Sequence, residues 1–125
     1  MNVKIDTKEK FHVITPIDGD ISASMTAELT QKIQPYLQNE VKNVVLNFEH
    51  VTAVDQAAAE KLAELQQNFY QNNASFVICC LQKQVEAFLA DNELLEHLNV
   101  VPSQSEAWDI VQMEEIEREL LDGEN

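Results

Sequence analysis

VVLNFEHVTAVDQAAAEKLAEL, residues 44–65, is the stretch that decides the fold of this chain. Val44 to Phe48 form a nearly continuous apolar run, which is typical of a strand covered on both faces. Asp55 has the side chain of a helix N-cap, and the apolar residues after it recur at helical spacing. A strand that ends where a helix begins gathers unpaired backbone N–H groups and the positive end of the helix dipole at one surface point. Sites for anions and for protein partners are commonly built at such points.

The residues before this stretch predict a hairpin and then a helix. Apolar residues partly alternate between Val3 and Ile17, and the polar patch Asp6 to Lys10 fits the turn between two strands. Gly19 lies in the next turn, where we expect it to hold a backbone angle that other residues avoid. Ser22 or Ser24 can cap the helix that follows. Pro35 should kink that helix or end it near Gln34.

The residues after it predict a second strand and helix, and then a final helix. Phe76 to Leu81 has the composition of a buried strand, and Gln82 to Ala90 that of a helix. After a short helical turn and the short strand Val100-Val101, Ser103 and Glu106 have the spacing of a capping box. We expect the last helix to direct these apolar residues inward: Ala107, Ile110, Val111, Ile116 and Leu120.

Strands that alternate with helices predict an α/β fold with crossover connections. We expect a mixed, mostly parallel sheet of four to five strands, with about four helices and an antiparallel first hairpin. The length of 125 residues favours one domain. We place that domain at residues 1–112 and regard residues 113–125 as an acidic, helical C-terminal extension of it.

The net charge of −14 narrows the class of partner. A chain this acidic repels phosphate backbones and anionic lipid headgroups, so we expect no nucleic-acid partner and no insertion into a membrane. A basic protein surface suits it better, although the charge could serve solubility alone. The N-terminus lacks the apolar centre of a secretory signal, and we expect a cytoplasmic protein.

Cysteines and histidines predict no metal site and no cofactor. Cys79 and Cys80 are neighbours at the end of a predicted strand, where successive side chains point to opposite faces. We therefore expect that they neither bond each other nor hold one metal. His12, His50 and His97 are scattered, without metal-ligand spacing.

Four local patterns, in this order along the chain, resemble the STAS domain, the module shared by sulfate transporters and anti-sigma factor antagonists. They are the turn before the first helix at 17–21, the strand and loop at 43–55, the strand at 76–81 and the closing helix at 105–111. Together they cover the chain roughly from Val3 to Val111.

The resemblance also implies a phosphorylation site that acts as a switch in the family, but the serine of that site is absent here. In antagonists of this family an aspartate precedes Ser-Ser-Gly or a similar sequence, and a partner kinase phosphorylates the second serine. The corresponding residues here are Asp55, Gln56, Ala57 at the phosphoacceptor position, and Ala58. Ser22 stands where the family often has an acid. Alanine has no oxygen to phosphorylate, so we expect no phosphorylation at residue 57.

The function that the resemblance implies is a non-catalytic regulatory module that binds a protein, such as an anti-sigma factor with serine-kinase activity. The expected partner-binding surface comprises Ser22, Ser24, Asp55, Gln56, Ala57 and Ala58. The alternative is a constitutive structural or assembly subunit of a transporter or signalling complex. We expect no enzyme, because the chain has no Gly-rich phosphate loop and no Ser-His-Asp or Cys-His spacing. The identity of the partner, the oligomeric state and weak nucleotide binding stay open at this point.

Overall fold

The computed structural model describes residues 2–123. Its strands are β1 (Val3–Thr7), β2 (His12–Pro16), β3 (Asp20–Ile21), β4 (Val44–Asn47), β5 (Ala53–Val54), β6 (Phe76–Cys79) and β7 (Val100–Val101). Its helices are α1 (Ala23–Ile33), α2 (Gln56–Gln71), α3 (Lys83–Asp91) and α4 (Gln104–Gly123). Two short 3₁₀ segments lie at Gln34–Gln38 and Leu95–His97.

Five of the strands form the main sheet, in the order β1-β2-β4-β6-β7. β1 is antiparallel to β2, with Thr7 opposite His12, and every other neighbouring pair in this sheet is parallel. The predicted fold class, a mixed and mostly parallel sheet with four helices, is therefore confirmed. β3 and β5 form a separate two-stranded parallel sheet that we did not predict.

The first core lies between one face of the main sheet and helices α1, α2 and α3. Strand residues such as Ile14, Leu46 and Ile78 are almost fully buried there against Leu62 and Phe69 of α2. Pro35 ends α1 as predicted: the α-helix stops at Ile33, and a 3₁₀ segment with the proline in its first turn takes over.

The second core lies on the opposite face and is covered by α4. Alternate strand residues, Val13, Val45 and Val77, point to this side and pack with Ala107 and Val111 of the helix. The ring of Trp108 stacks on Phe11 with centroids 5.1 Å apart. Because helices cover both faces, all four residues of β4 are buried. This explains its continuous apolar sequence.

The inward face of α4 becomes polar in its second half. The two terminal nitrogens of Arg118, Nη1 and Nη2, each lie 3.3 Å from Ser75 Oγ. Nη2 also donates to Asn43 Oδ1 at 3.4 Å. Asn43 Nδ2 in turn donates to Glu115 Oε1 at 2.8 Å. Asn43 and Ser75 are only 5% and 1% exposed. This polar cluster anchors the last turns of α4 by hydrogen bonds rather than by apolar contact.

Two residues of α4 do not face the way we predicted. Ile116 and Leu120 are 56% and 65% exposed, so the expectation that they pack inward is wrong. Periodicity alone cannot say which side of a helix meets the core when both sides carry apolar residues. Here the buried Asn43 and Ser75, which directly precede β4 and β6, lie beneath the second half of α4, and the side of the helix that carries Arg118 bonds them.

We predict that Phe69→Ala lowers the free energy of unfolding by about 3–5 kcal/mol, because Phe69 is fully buried and its removal leaves a cavity. Tyr70→Ala is the matched control, since the neighbouring ring is 72% exposed. Urea denaturation measures both. An equal loss of stability in the two variants would contradict the assigned burial.

Candidate functional site

The two-stranded sheet brings two helix N-termini together. Asp20 pairs with Ala53, and Ile21 pairs with Val54, in parallel register. The next residue on each strand, Ser22 on one and Asp55 on the other, is the N-cap of a helix. Since both helices start from the same end of this pairing, α1 and α2 present the positive ends of their dipoles side by side. The predicted site residues Ser22 and Asp55 thus lie at one surface.

Both caps are occupied by hydrogen bonds within the chain. Asp55 Oδ1 accepts from the backbone N–H of Ala58 at 2.7 Å, which confirms the predicted cap. Ser22 Oγ accepts from the N–H of Met25 at 3.4 Å and lies 3.1 Å from Ser24 Oγ. Of the two candidate capping serines, Ser22 is therefore the cap, and Ser24 lies exposed in the first turn of α1.

A single carbonyl holds the loop before α2 in place. Gly19 O accepts from Thr52 N at 2.6 Å, from Ala53 N at 3.1 Å and from Thr52 Oγ1 at 3.0 Å. The expectation that Gly19 needs an unusual backbone angle is wrong, because no glycine described here has a positive φ. Space is the constraint instead: a Cβ at residue 19 would lie 3.0 Å from Thr52 Oγ1.

The first turn of α2 has one exposed side and one buried side. Gln56 and Ala57 are exposed, and Gln56 Nε2 donates to Glu60 Oε1 at 3.3 Å. Ala58 is fully buried in the first core. It therefore adds no surface to the patch on which we placed it. The structure reduces the accessible part of that patch to Ser22, Ser24, Asp55, Gln56 and Ala57.

An open groove of about 380 Å³ extends from this patch to α3. Its walls are β3, the segment that leads through β5 into α2, and α3. The lining residues are Asp20, Thr52, Ala53, Val54, Asp55, Gln56, Gln84, Val85 and Phe88. The charged residues that line it, Asp20 and Asp55, are both acidic. Phe88 is half-buried and supplies an apolar wall. This arrangement suits a protein segment that offers a small apolar group and N–H or cationic donors.

Sequence reasoning found Asp55 and its neighbours but missed the α3 wall. Phe88 has the helical spacing of a core residue, and nothing local shows that its ring is only half covered. Gln82 Nε2 donates to Glu49 O at 2.8 Å, which ties the start of α3 to the loop that follows β4. That contact spans residues far apart in sequence, so no local pattern could reveal it.

The two cysteines approach each other more closely than strand geometry suggests. Cys80 follows β6 with a φ of 65°, and its Sγ lies 3.5 Å from Cys79 Sγ. The expectation of opposite-facing side chains is wrong because the strand ends at Cys79. Both thiols are free. Burial and the neighbouring Cys80 raise the pKa of the Cys79 thiol above its ordinary range.

Within residues 2–123, no group of three or more His, Cys, Asp or Glu side chains is arranged to hold a metal ion. Over the same described part of the chain, no helix has the length and apolar character needed to cross a bilayer.

Residues 2–107 match the family model of the STAS domain. Since the match covers most of the chain, this protein belongs to the STAS domain family. The resemblance inferred from the four local patterns is confirmed. None of the curated proteins matches the chain in sequence.

Solved structures of low sequence identity share the fold. An anti-sigma-factor antagonist (STAS) domain protein from Planctomyces limnophilus is 12% identical with a TM-score of 0.73, over 88% of this chain and 97% of its own. The Bacillus cell fate determinant SpoIIAA in its phosphorylated form is 14% identical with a TM-score of 0.62, over 88% and 99%. The murine anion transporter Slc26a9 is 15% identical with a TM-score of 0.64, over 83% of this chain and 18% of the transporter.

We predict that Asp55→Ala lowers the free energy of unfolding by about 1 kcal/mol, because the N–H of Ala58 loses its acceptor. Asp55→Asn should retain most of the stability, since the amide oxygen can still accept. Thermal and urea unfolding of both variants test this. Equal losses would mean that the capping bond contributes little.

We also predict that iodoacetamide modifies Cys80 in the folded protein and spares Cys79. Cys80 is half-buried, whereas Cys79 is fully buried and its raised pKa keeps it a thiol. Peptide mass spectrometry of the native and urea-unfolded protein measures the two sites. Modification of Cys79 under native conditions, at a rate similar to that of Cys80, would contradict the described burial.

Proposed function

We propose that this STAS domain is a non-catalytic, cytoplasmic regulatory module that holds a protein partner at the N-terminus of α2 without a serine phosphorylation switch. The observation that carries the proposal is the exposed first turn of α2, where Asp55 and Gln56 line an acidic, partly apolar groove and the exposed Ala57 follows them. The family resemblance supports the same surface, because the phosphoacceptor position corresponds to Ala57.

The chemistry of the first turn supports a constitutive contact. Phosphate at this position would bring about −1.5 to −2 charges beside a helix N-terminus and remodel any interface there. Ala57 has no hydroxyl, so this route is absent. Its small side chain also lets a partner backbone approach the helix closely. Glu60, one turn further along, is held by Gln56 and leaves Ala57 uncovered.

The hydroxyl groups of Thr52 and Ser22, near Ala57, already make hydrogen bonds within the domain. Thr52 Oγ1 donates to the Gly19 carbonyl, and Ser22 Oγ caps α1. Phosphorylation at either would break a bond that positions the loop or the helix. We therefore expect phosphopeptide mapping of the protein from its own cells to find no phosphate on Thr52, Ser22 or Ser24. A modified fraction at any of the three would contradict an unswitched interface.

The positions of the two carboxylates that line the groove support a non-catalytic role. Asp55 uses one carboxylate oxygen for the helix cap, where it accepts from the backbone N–H of Ala58. Asp20, the other acid of the groove, is exposed on a two-residue strand. The residues that line the groove include no serine, cysteine or histidine, and the one hydroxyl among them, on Thr52, donates to the Gly19 carbonyl.

The decisive experiment identifies the partner by affinity purification from the protein's own cells and then measures its binding to variants. We predict that Ala57→Glu and Ala57→Arg each weaken binding at least about tenfold, because both add a long charged side chain to the contact. Ala90→Arg is the matched control, since Ala90 is also an exposed helical alanine but lies near the C-terminal end of α3 rather than in the first turn of α2. Unchanged binding of both Ala57 variants would exclude this surface as the interface.

A second candidate function is a constitutive assembly subunit of a transporter or a larger signalling complex. The apolar and acidic outer face of α4 favours it, because such a face suits a permanent neighbour. The co-purified partner discriminates the two. An anti-sigma factor with kinase activity supports the first proposal, whereas a transporter permease or ATPase supports the second.

A further inference from the structure

In the second half of α4, the polar side of the helix faces the core and an apolar side faces solvent. The outer stripe, which we define as Met113, Ile116 and Leu120, consists of side chains that are 55%, 56% and 65% exposed. At 3.6 residues per turn these three residues lie within about 60° of the helix circumference. Arg118, roughly on the opposite side, faces the sheet and bonds Ser75 and Asn43.

Packing within the domain does not account for the outer stripe. The inward positions of the same turns, Glu115 and Arg118, already satisfy the buried amide of Asn43 and the hydroxyl of Ser75. These bonds fix the rotation of α4 about its axis. The helix therefore holds three large apolar side chains toward solvent in a fixed orientation. Exposed apolar side chains grouped in this way are a feature of binding surfaces.

The charged side chains that α4 itself places beside the outer stripe all have one sign. The exposed acids Glu106, Asp109 and Glu117 lie on the same side of α4 as the stripe. The one cation in the sequence of α4 is Arg118, and its guanidinium is turned to the sheet. The outer face thus presents apolar side chains flanked by carboxylates, with no cation of its own.

We propose that the outer stripe of α4 binds a basic amphipathic helix of a partner protein, with leucine-like side chains against Met113, Ile116 and Leu120 and lysines or arginines against the flanking acids. Charge complementarity selects this occupant. A second copy of the chain would place carboxylates against carboxylates, on molecules that each carry a net charge of −14. An anionic membrane surface is excluded by the same repulsion.

This surface is distinct from the one at the N-terminus of α2. α4 covers one face of the main sheet, whereas α1, α2 and α3 pack on the other. A partner could engage both only by reaching around the sheet edge. The inference therefore does not depend on the interface proposed at the N-terminus of α2, although it deepens the second candidate function. Substitutions at Ala57 should leave binding at the outer stripe unchanged.

The test uses the full chain and a labelled synthetic helix of leucine and lysine with leucines at helical spacing, followed by fluorescence anisotropy. We expect the wild-type chain to bind this peptide and Ile116→Gln/Leu120→Gln to bind it at least about tenfold more weakly. Glutamine is a good helix former, so the double variant should keep the fold. Circular dichroism checks this.

Two controls distinguish binding at the outer stripe from a nonspecific attraction between a basic peptide and an acidic protein. Ile17→Gln removes a residue that is exposed to the same extent, 56%, at another surface, and it should bind as the wild type does. A scrambled peptide of equal composition should bind much more weakly. Equal binding of the double variant and the wild type, or of the scrambled and amphipathic peptides, would overturn the proposal. So would self-association by sedimentation that the double variant abolishes, since the occupant would then be a second copy.

Discussion

The parallel pairing of two very short strands governs the geometry of the site. β3 and β5 have two residues each, yet their register places Ser22 and Asp55 at equivalent positions beyond the strand ends. The Gly19 carbonyl reinforces the pairing by accepting from Thr52 and Ala53. With both caps fixed, two helix dipoles point at one region of surface. The exposed first turn of α2 and the groove beside it are consequences of this arrangement.

The two faces of the main sheet are used differently. On one face, α1, α2 and α3 build the larger core, and the groove opens at the edge of that layer. On the other face, α4 supplies apolar contacts through Ala107 and Val111 and hydrogen bonds through Arg118. The change from apolar to polar anchoring midway along α4 is what leaves Met113, Ile116 and Leu120 outside. The two surfaces that we propose for protein partners therefore lie on opposite sides of the main sheet.

Local patterns predicted the elements well where a single residue type has one physical role. Pro35 cannot continue an α-helix, and Asp55 is a strong N-cap, so both predictions are confirmed. Predictions failed where a residue type has several roles. Gly19 provides space for Thr52 rather than an unusual φ, and Cys80 leaves the strand with a positive φ that no pattern of alternating side chains indicates. Ala58 has the sequence context of a surface patch, although it lies in the core.

The sequence by itself determined the order of the helices and of the five main-sheet strands along the chain, the helix caps and the absence of a hydroxyl at residue 57, because each of these depends on the chemistry of neighbouring residues. The tertiary structure decided the rotation of α4, the closeness of Ser22 to Asp55 and the wall that Phe88 adds to the groove. Each of these depends on contacts between residues far apart in the chain. Local periodicity carries no information about which face of a helix meets such a contact.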